Sequence, residues 1–158
     1  MSVSRLAWAS VALLLLAAVV TAQEPSRRPS PKDKCPICGM FVSKYPDWTA
    51  AVAFQDGSLA WFDGAKDLFK FLADPGRFMP GRRAADVRVV TVNDYYGVKP
   101  IDAKEAYFVI GSDVFGPMGK ELVPFGKKTE AEEFLRDHRG QRILRFGEVN
   151  RAVLDGLE

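Results

Sequence analysis

The chain has 158 residues, of which 47% are hydrophobic, and its formal net charge at pH 7 is +2. This near-neutral balance argues against nucleic acid as a partner, because binding to a phosphate backbone requires a concentrated basic surface. The length allows one ordinary hydrophobic core or two very small fused units.

Residues 1–22 are predicted to be a secretory signal peptide. Arg5 gives a short positive start, residues 6–20 form an apolar run interrupted only by Ser10, and Val20-Thr21-Ala22 supplies the small residues of a cleavage site before Gln23. The run is short for a membrane span, which favours a cleaved signal peptide. The alternative is that the segment is retained as an uncleaved N-terminal anchor. Either way, the rest of the chain is expected outside the cytoplasm, in the periplasm or its equivalent. Gln23 stands where a lipoprotein carries its lipid-acceptor cysteine, so the sequence gives a lipid anchor no support.

Residues 23–34 are predicted to be a disordered linker. They hold three prolines, two serines and six charged residues, and they have no large apolar side chain. The folded domain is therefore expected to comprise residues 35–158.

The first predicted unit, about residues 46–95, begins with two strands. Residues 48–54 and 59–62 have strand composition and are separated by a Gln-Asp-Gly-Ser turn. Ala65, Leu68, Phe69 and Leu72 then follow at helical spacing, which predicts an amphipathic helix. Residues 87–92 are predicted to form a third strand.

The second predicted unit, about residues 104–149, repeats this order. Strands are predicted over 106–110, 121–125 and 142–146, and a helix is predicted to start at a capping box formed by Thr129 and Glu132. An offset of 63 residues relates Leu59 to Leu122 and Phe71 to Phe134. We therefore predict an α+β fold of two duplicated β-β-α-β units, with chance similarity as the alternative.

Both cysteines of the chain lie in one short motif, Cys35-Pro36-Ile37-Cys38-Gly39-Met40. A Cys-x-x-Cys turn brings two sulfur atoms close together, and Gly39 allows the backbone to turn tightly beneath them. Three chemistries use this geometry: a structural zinc site, a redox-active pair and a copper(I) site.

The zinc and redox interpretations each lack part of the usual pattern. Tetrahedral zinc needs four ligands, whereas the two cysteines and the single histidine, His138, provide three, so a carboxylate would have to complete the set. A thioredoxin-like oxidoreductase has a strand before its motif and a long helix after it. Here a linker precedes Cys35, and residues 41–46 do not favour a long helix. A disulfide between Cys35 and Cys38 stays an alternative in an oxidising compartment.

Methionine favours copper(I), because this soft ion accepts thioether as well as thiolate sulfur, whereas zinc has little use for thioether. Met40 lies two positions after Cys38, and Met118 lies in a Gly-Pro-Met-Gly turn that has little core to fill. Met79 is expected to be a packing residue. His138, near the C-terminus of the second helix, is either a helix-end residue or a further ligand.

The chain resembles the NosL-type accessory proteins of nitrous oxide reductase assembly over nearly all of residues 35–149. The motifs that carry the resemblance are Cys35-Pro36-Ile37-Cys38-Gly39-Met40, Tyr45-Pro46-Asp47-Trp48, Phe62-Asp63, Asp94-Tyr95, Ala106-Tyr107-Phe108-Val109-Ile110-Gly111-Ser112-Asp113, and Gly116-Pro117-Met118-Gly119-Lys120-Glu121-Leu122-Val123-Pro124-Phe125. A cysteine knuckle followed by a Gly-Pro-Met-Gly loop is a specific combination. The chain departs from the family pattern at Asp137-His138-Arg139-Gly140, where His-Gly-Gly is expected.

The resemblance implies two β-β-α-β units akin to part of organomercurial lyase, and it implies monovalent copper binding. It also implies delivery of copper to apo-nitrous oxide reductase, or to another periplasmic copper enzyme, beside a membrane copper/sulfur transporter complex. The leading hypothesis is thus a non-catalytic copper(I) chaperone in which Cys35 and Cys38 supply thiolate, Met40 and Met118 supply thioether, and His138 completes the site. The alternative is a periplasmic thiol-disulfide oxidoreductase that uses the same two cysteines.

Overall fold

The computed structural model describes residues 28–158. The predicted signal peptide and the first residues of the predicted linker lie outside the described residues. Within the linker, Asp33 N–H donates to the Ser30 carbonyl in a turn, and Lys34 pairs with Phe41 in an antiparallel bridge. No helix within residues 28–158 has the length and apolar composition that crossing a membrane requires.

The first half of the domain is an antiparallel sheet with a helix packed on it. Its elements are β1 (Ala50–Phe54), β2 (Leu59–Phe62), α1 (Ala65–Ala73), α2 (Pro75–Phe78), β3 (Val87–Asp94) and β4 (Lys99–Asp102). The strands run in the spatial order β2-β1-β3-β4. The second strand has its predicted bounds. The first strand begins two residues later than predicted, because Pro46–Trp48 forms a 3-10 turn instead. The fourth strand and the short helix that starts at Pro75 were not predicted.

The second half is a three-stranded antiparallel sheet in which strand Tyr107–Ile110 lies between strands Val123–Phe125 and Arg142–Arg145, and a small hairpin is inserted after the first of these strands in the chain. Its elements are β5 (Tyr107–Ile110), the hairpin β6 (Phe115–Gly116) and β7 (Gly119–Lys120), β8 (Val123–Phe125), α3 (Lys128–Asp137), β9 (Arg142–Arg145) and α4 (Arg151–Asp155). The predicted capping box is wrong: α3 starts before Thr129, its N-cap is Lys127, and no side chain caps it. The hairpin and the final helix were not predicted.

The fold class, α+β, is confirmed. In both sheets the first strand of the half lies between the strand that precedes the helix and the strand that follows it. The predicted offset of 63 residues also relates Ala65, the first residue of α1, to Lys128, the first residue of α3. The origin of the two halves by duplication stays a prediction.

Helix α1 lies between the two sheets and forms the centre of the molecule. Phe71 packs on Phe62 of the first sheet, with ring centroids 5.2 Å apart. Phe69 faces the other way and packs on Phe108 of β5 with centroids 5.1 Å apart. Burial of each such ring contributes about 1.5–3 kcal/mol to the free energy of unfolding. Because α1 is held on two sides, the residues at its start are fixed in position.

The opposite face of the second sheet is covered by α3. Val109 of β5 and Phe125 of β8 form a separate apolar cluster with Ala131 and Phe134 of this helix. Phe108 belongs to the main core around α1, whereas its neighbour Val109 belongs to the cluster under α3. Successive side chains of a strand point to opposite faces, so β5 is buried on both of its faces. The domain is therefore layered as sheet, helix, sheet, helix.

Candidate metal centre

The Cys-x-x-Cys motif forms the tip of a small loop whose two ends are paired. Cys35 N–H donates to the Met40 carbonyl at 2.9 Å, and Gly39 N–H donates to the Cys35 carbonyl at 2.9 Å. Gly39 has φ +77°, which confirms the tight turn predicted at this residue. Both cysteines are free thiols; Cys35 is buried, and Cys38 is partly exposed. The loop thus presents two sulfur atoms, one inside the protein and one at its rim.

Two carboxylates from the start of α1 lie against these thiols. The Cys35 thiol donates to Asp67 Oδ2 at 3.3 Å, and the Cys38 thiol donates to Asp63 Oδ1 at 3.2 Å. One ligand atom from each of the four residues lies within 4.8 Å of the others. Both carboxylates are almost fully buried, and Asp63 Oδ2 has no hydrogen-bond partner among residues 28–158. The four residues form a compact group, which we call the thiol–carboxylate cluster.

The cluster holds its thiols in the protonated form. Burial raises the pKa of Cys35 far above its usual range of about 9, and the negative charge of Asp67 raises it further. Burial also raises the pKa of Cys38 to about 12, with hydrogen bonds to Asp67 and Asp63 adding to the shift. A cation that enters the cluster would replace the thiol protons and offset the carboxylate charges.

The same features disfavour redox catalysis. The reactive cysteine of a thiol oxidoreductase has a lowered pKa, because its thiolate is the nucleophile. Cys35 has the opposite shift, is 1% exposed, and is followed by turns and the 3-10 helix Val42–Lys44 instead of a long helix. The environment suits metal binding better than thiol–disulfide exchange.

Neither Asp63 nor Asp67 was predicted as a ligand, although Phe62-Asp63 is one of the motifs that carry the family resemblance. The sequence indicated only that a carboxylate would have to complete a zinc site. Asp63 lies two residues before α1, and Asp67 lies in the first turn of this helix. An acidic residue in a helix turn that is otherwise mostly buried, as Asp67 is, was the signal in the sequence that could have indicated a ligand. With two thiols, these carboxylates give a four-ligand set of types that zinc accepts as well, so thioether remains the feature that favours copper(I).

The predicted methionine ligands lie on two different loops. Met40 is half-buried and belongs to the cysteine loop itself, where its backbone N–H points to the Cys38 sulfur. Met118 lies at the turn of the β6–β7 hairpin and is 44% exposed. Its carbonyl accepts a hydrogen bond from the Lys66 ammonium at 2.8 Å, and Lys66 is adjacent to Asp67 in α1. The hairpin is therefore attached to the helix start that carries the carboxylates.

His138 has a different environment. Its ring stacks on Phe134 with centroids 4.3 Å apart, and Nδ1 lies 3.1 Å from Asp113 Oδ1. It caps the C-terminus of α3, as the helix-end alternative predicted. The metal-ligand groups found in residues 28–158 do not include it, so its role as a ligand stays a prediction.

Two free thiols and two buried carboxylates gathered at one helix start, in an α+β domain, are features of a metal-binding protein. The sequence and structure comparisons narrow this class. The family model described as NosL matches residues 26–154, and the chain belongs to this family.

Two similar proteins carry names that concern copper. The chain is 29% identical over 127 residues to the copper-binding lipoprotein NosL of Stutzerimonas stutzeri, an alignment that covers 77% of this chain and 64% of the relative. It thus spans slightly less than two thirds of that protein. The crystal structure of the copper chaperone NosL from Shewanella denitrificans is similar with a TM-score of 0.70 and 27% identity, over 82% of this chain and 98% of that one. The solution structure of apo-NosL from Achromobacter cycloclastes gives a TM-score of 0.48 and 25% identity, over 66% and 87%.

Proposed function

We propose that this protein is an extracytoplasmic copper(I) chaperone. In this proposal the signal peptide directs the chain to the periplasm, and the domain carries one copper(I) ion per monomer. It delivers the ion to apo-nitrous oxide reductase or another periplasmic copper enzyme, beside a membrane copper/sulfur transporter complex. The chaperone has no catalytic activity of its own.

The observation that carries the proposal is the pair of free thiols at the centre of the cluster. Cys35 and Cys38 lie together, without a disulfide, against two buried carboxylates. The thiolates provide the soft ligands that copper(I) prefers, and thioether sulfur from Met40 and Met118 adds ligands that zinc does not use. His138 is the fifth candidate ligand.

Release of the ion would begin at the exposed side of the site. Cys38 is partly exposed and Met118 is 44% exposed, whereas Cys35 is buried. A ligand from the acceptor can therefore replace Met118 or Cys38 first, while Cys35 still holds the ion. Exchange of one ligand at a time keeps the ion bound throughout and avoids release of free copper.

The ligand set can be tested by competition with a chromophoric copper(I) chelator under anaerobic conditions. Cys35→Ser and Cys38→Ser should each lower the copper(I) affinity at least ~100-fold, because each removes a thiolate. His138→Gln should lower it less, with Asp113→Ala as a control that removes the same hydrogen-bond partner but leaves the imidazole in place. Unchanged affinity in both cysteine variants would refute the proposal.

The client can be tested by transfer. The copper-loaded domain, residues 28–158, is mixed anaerobically with apo-nitrous oxide reductase, the proteins are separated, and copper is measured in each. We expect copper to move to the reductase from the unaltered domain. A rate equal to that from free copper(I) chelate would contradict a chaperone role for this client.

A further inference from the structure

Two buried side chains, Glu121 and Lys66, connect the Met118 hairpin to the start of α1. Both residues are 3% exposed, although one is an acid and the other a base. Charged side chains are rarely buried to this extent unless they have specific partners. Their partners show what the two residues do.

Glu121 caps α1 from a distant part of the chain. The N-cap of this helix is Gly64, which has no side chain to offer, and Glu121 Oε1 accepts from the Lys66 backbone N–H at 2.5 Å instead. The same oxygen accepts from Leu122 N–H at 2.9 Å. Glu121 directly follows the hairpin, so a single carboxylate joins the end of β7 to the first turn of α1.

Two glycines leave the space that this carboxylate occupies. A Cβ added at Gly64 would overlap the Glu121 carboxylate, and one added at Gly116 would lie 2.9 Å from Glu121 Cγ. Gly64 precedes the helix, and Gly116 belongs to the hairpin. The backbones of both elements therefore approach the same side chain closely, and this contact fixes the hairpin against the helix.

Lys66 makes the reciprocal connection. Its side chain extends from the first turn of α1 and donates from Nζ to the Met118 carbonyl at 2.8 Å, and to the Leu157 carbonyl at 3.4 Å. The Glu121 side chain thus reaches from the end of the β6–β7 hairpin to α1, and the Lys66 side chain reaches from α1 to the turn of the hairpin. The neighbours of Lys66 in the chain include Asp67, which accepts from the Cys35 thiol.

We propose that Glu121 and Lys66 are positioning residues that hold Met118 beside the two cysteines, so that a thioether from one loop and thiolates from another form a single copper(I) site. The inference rests on the proposed copper(I) binding. Neither residue is a ligand: each acts through the position of Met118. Without them the hairpin, which has only two residues in each strand, would keep its turn but lose its fixed place on α1.

The test is a double-mutant cycle with Met118. Copper(I) affinity of residues 28–158 is measured by chelator competition for Glu121→Leu and Lys66→Met, each alone and combined with Met118→Leu. Glu121→Gln keeps an acceptor oxygen and serves as the conservative variant, and Lys128→Met, on the exposed start of α3, is the lysine control. Thermal unfolding and circular dichroism identify variants that do not fold, and the sulfur coordination of the bound copper is read by X-ray absorption.

We expect Glu121→Leu and Lys66→Met to lower the affinity about tenfold, which is ~1.4 kcal/mol, and to reduce the number of sulfur ligands by one. Glu121→Gln and Lys128→Met should stay within about twofold of the unaltered protein. In the Met118→Leu background, the two positioning variants should have no further effect. If Glu121→Leu does not fold, Lys66→Met decides the outcome alone.

Two results would overturn the inference while the proposed function stands. One is an equal loss of affinity in both backgrounds, which would make the effect independent of Met118. The other is an unchanged affinity in Met118→Leu or in Lys66→Met, with binding that still depends on the cysteines. Absence of copper(I) binding by the unaltered protein would overturn the proposed function, and the inference with it.

Discussion

The Cys35 thiol donates a hydrogen bond to the carboxylate of Asp67, 32 residues further along the chain and 3.3 Å away. A thiol that donates to a carboxylate keeps its proton, and this pair is buried. In the metal-free protein the thiol therefore stays protonated, which protects the sulfur from oxidation because the thiolate is the reactive species. Copper(I) has to displace the proton when it binds.

The first prediction concerns the pH dependence of copper(I) affinity. Each thiol proton that copper(I) displaces makes the apparent affinity rise about tenfold per pH unit, until pH reaches the pKa of that thiol. An ordinary cysteine, with a pKa of about 9, stops contributing near that pH, whereas burial raises the pKa of Cys38 to about 12. The affinity of the protein should therefore keep rising between pH 8 and pH 10.

Chelator competition at pH 7, 8, 9 and 10 measures this slope. A peptide of residues 33–42 has the same cysteines without burial or the two carboxylates, and its affinity should level off near pH 9. A protein curve that levels off at the same pH as the peptide curve would contradict the raised pKa values.

The second prediction separates copper(I) from harder cations. Asp67→Asn removes a negative charge that raises the pKa of Cys35 but leaves the side-chain volume nearly unchanged. Copper(I) has little affinity for carboxylate oxygen, and the Asp67 charge attracts the thiol proton and the monovalent ion that replaces it to a similar extent. The copper(I) affinity of the variant should therefore stay within about threefold of that of the unaltered protein at pH 7. A carboxylate-dependent divalent ion such as Zn²⁺ should bind more weakly instead.

Lys70→Met is the matched control, since Lys70 Nζ lies 3.7 Å from Asp67 Oδ1 and the substitution removes this contact without changing the carboxylate. Both variants are compared by anaerobic copper(I) competition and by zinc titration. A loss of copper(I) affinity in Asp67→Asn would make the Asp67 oxygen a ligand of the ion.

The sequence predicted the parts of the fold that follow from local patterns. Strand β2 and helix α1 were predicted within one residue, because alternation and helical spacing are both strong there. Strand β4 was missed because its residues, Lys99–Asp102, are mostly exposed and include a proline at position 100. The cap of α3 was predicted wrongly because Thr129 and Glu132 fit the capping-box pattern two residues after the true N-cap.

The candidate site likewise has one part that follows from local sequence and one part that depends on tertiary contacts. The cysteine pair and its glycine turn were predictable, since they lie within six consecutive residues. Asp63 and Asp67 are separated from the cysteines by more than 24 residues of chain, and only the packing of α1 under the cysteine loop brings them together. Single-sequence patterns describe local structure and do not show such tertiary contacts.

The third prediction tests whether methionine sulfur is part of the site. Met118→Leu preserves size and hydrophobicity and removes only the thioether, so it should lower the copper(I) affinity about tenfold with little change in the free energy of unfolding. Met79→Leu is the matched control, because Met79 packs against the main core and lies away from the cysteine loop in sequence. The same loss of affinity in both variants, or in neither, would contradict a ligand role for Met118.

The fourth prediction concerns the effect of pH on stability through Glu121. Burial raises the pKa of this carboxyl from 4.5 in the unfolded chain to about 8 in the folded protein. Between these two values the folded protein retains a proton that the unfolded chain has released. The contribution of Glu121 to stability is therefore complete below about pH 4.5 and is lost as pH rises towards 8, by at most ~1.4 kcal/mol per pH unit.

Glu121→Gln replaces the acid by a neutral group of the same shape, so it should lack this dependence. Urea unfolding of the metal-free domain, residues 28–158, at pH 5, 6, 7 and 8 measures the difference. We expect the two proteins to be similar in stability at pH 5, and the variant to become progressively more stable than the unaltered protein towards pH 8. Glu130→Gln provides the control, because the ion pair of Glu130 with Lys127 lies at the surface, where the carboxylate gains little from its partner. A constant difference between Glu121→Gln and the unaltered protein over this range would mean that the Glu121 carboxyl is ionised throughout, so that the cap on α1 is a carboxylate at every pH tested.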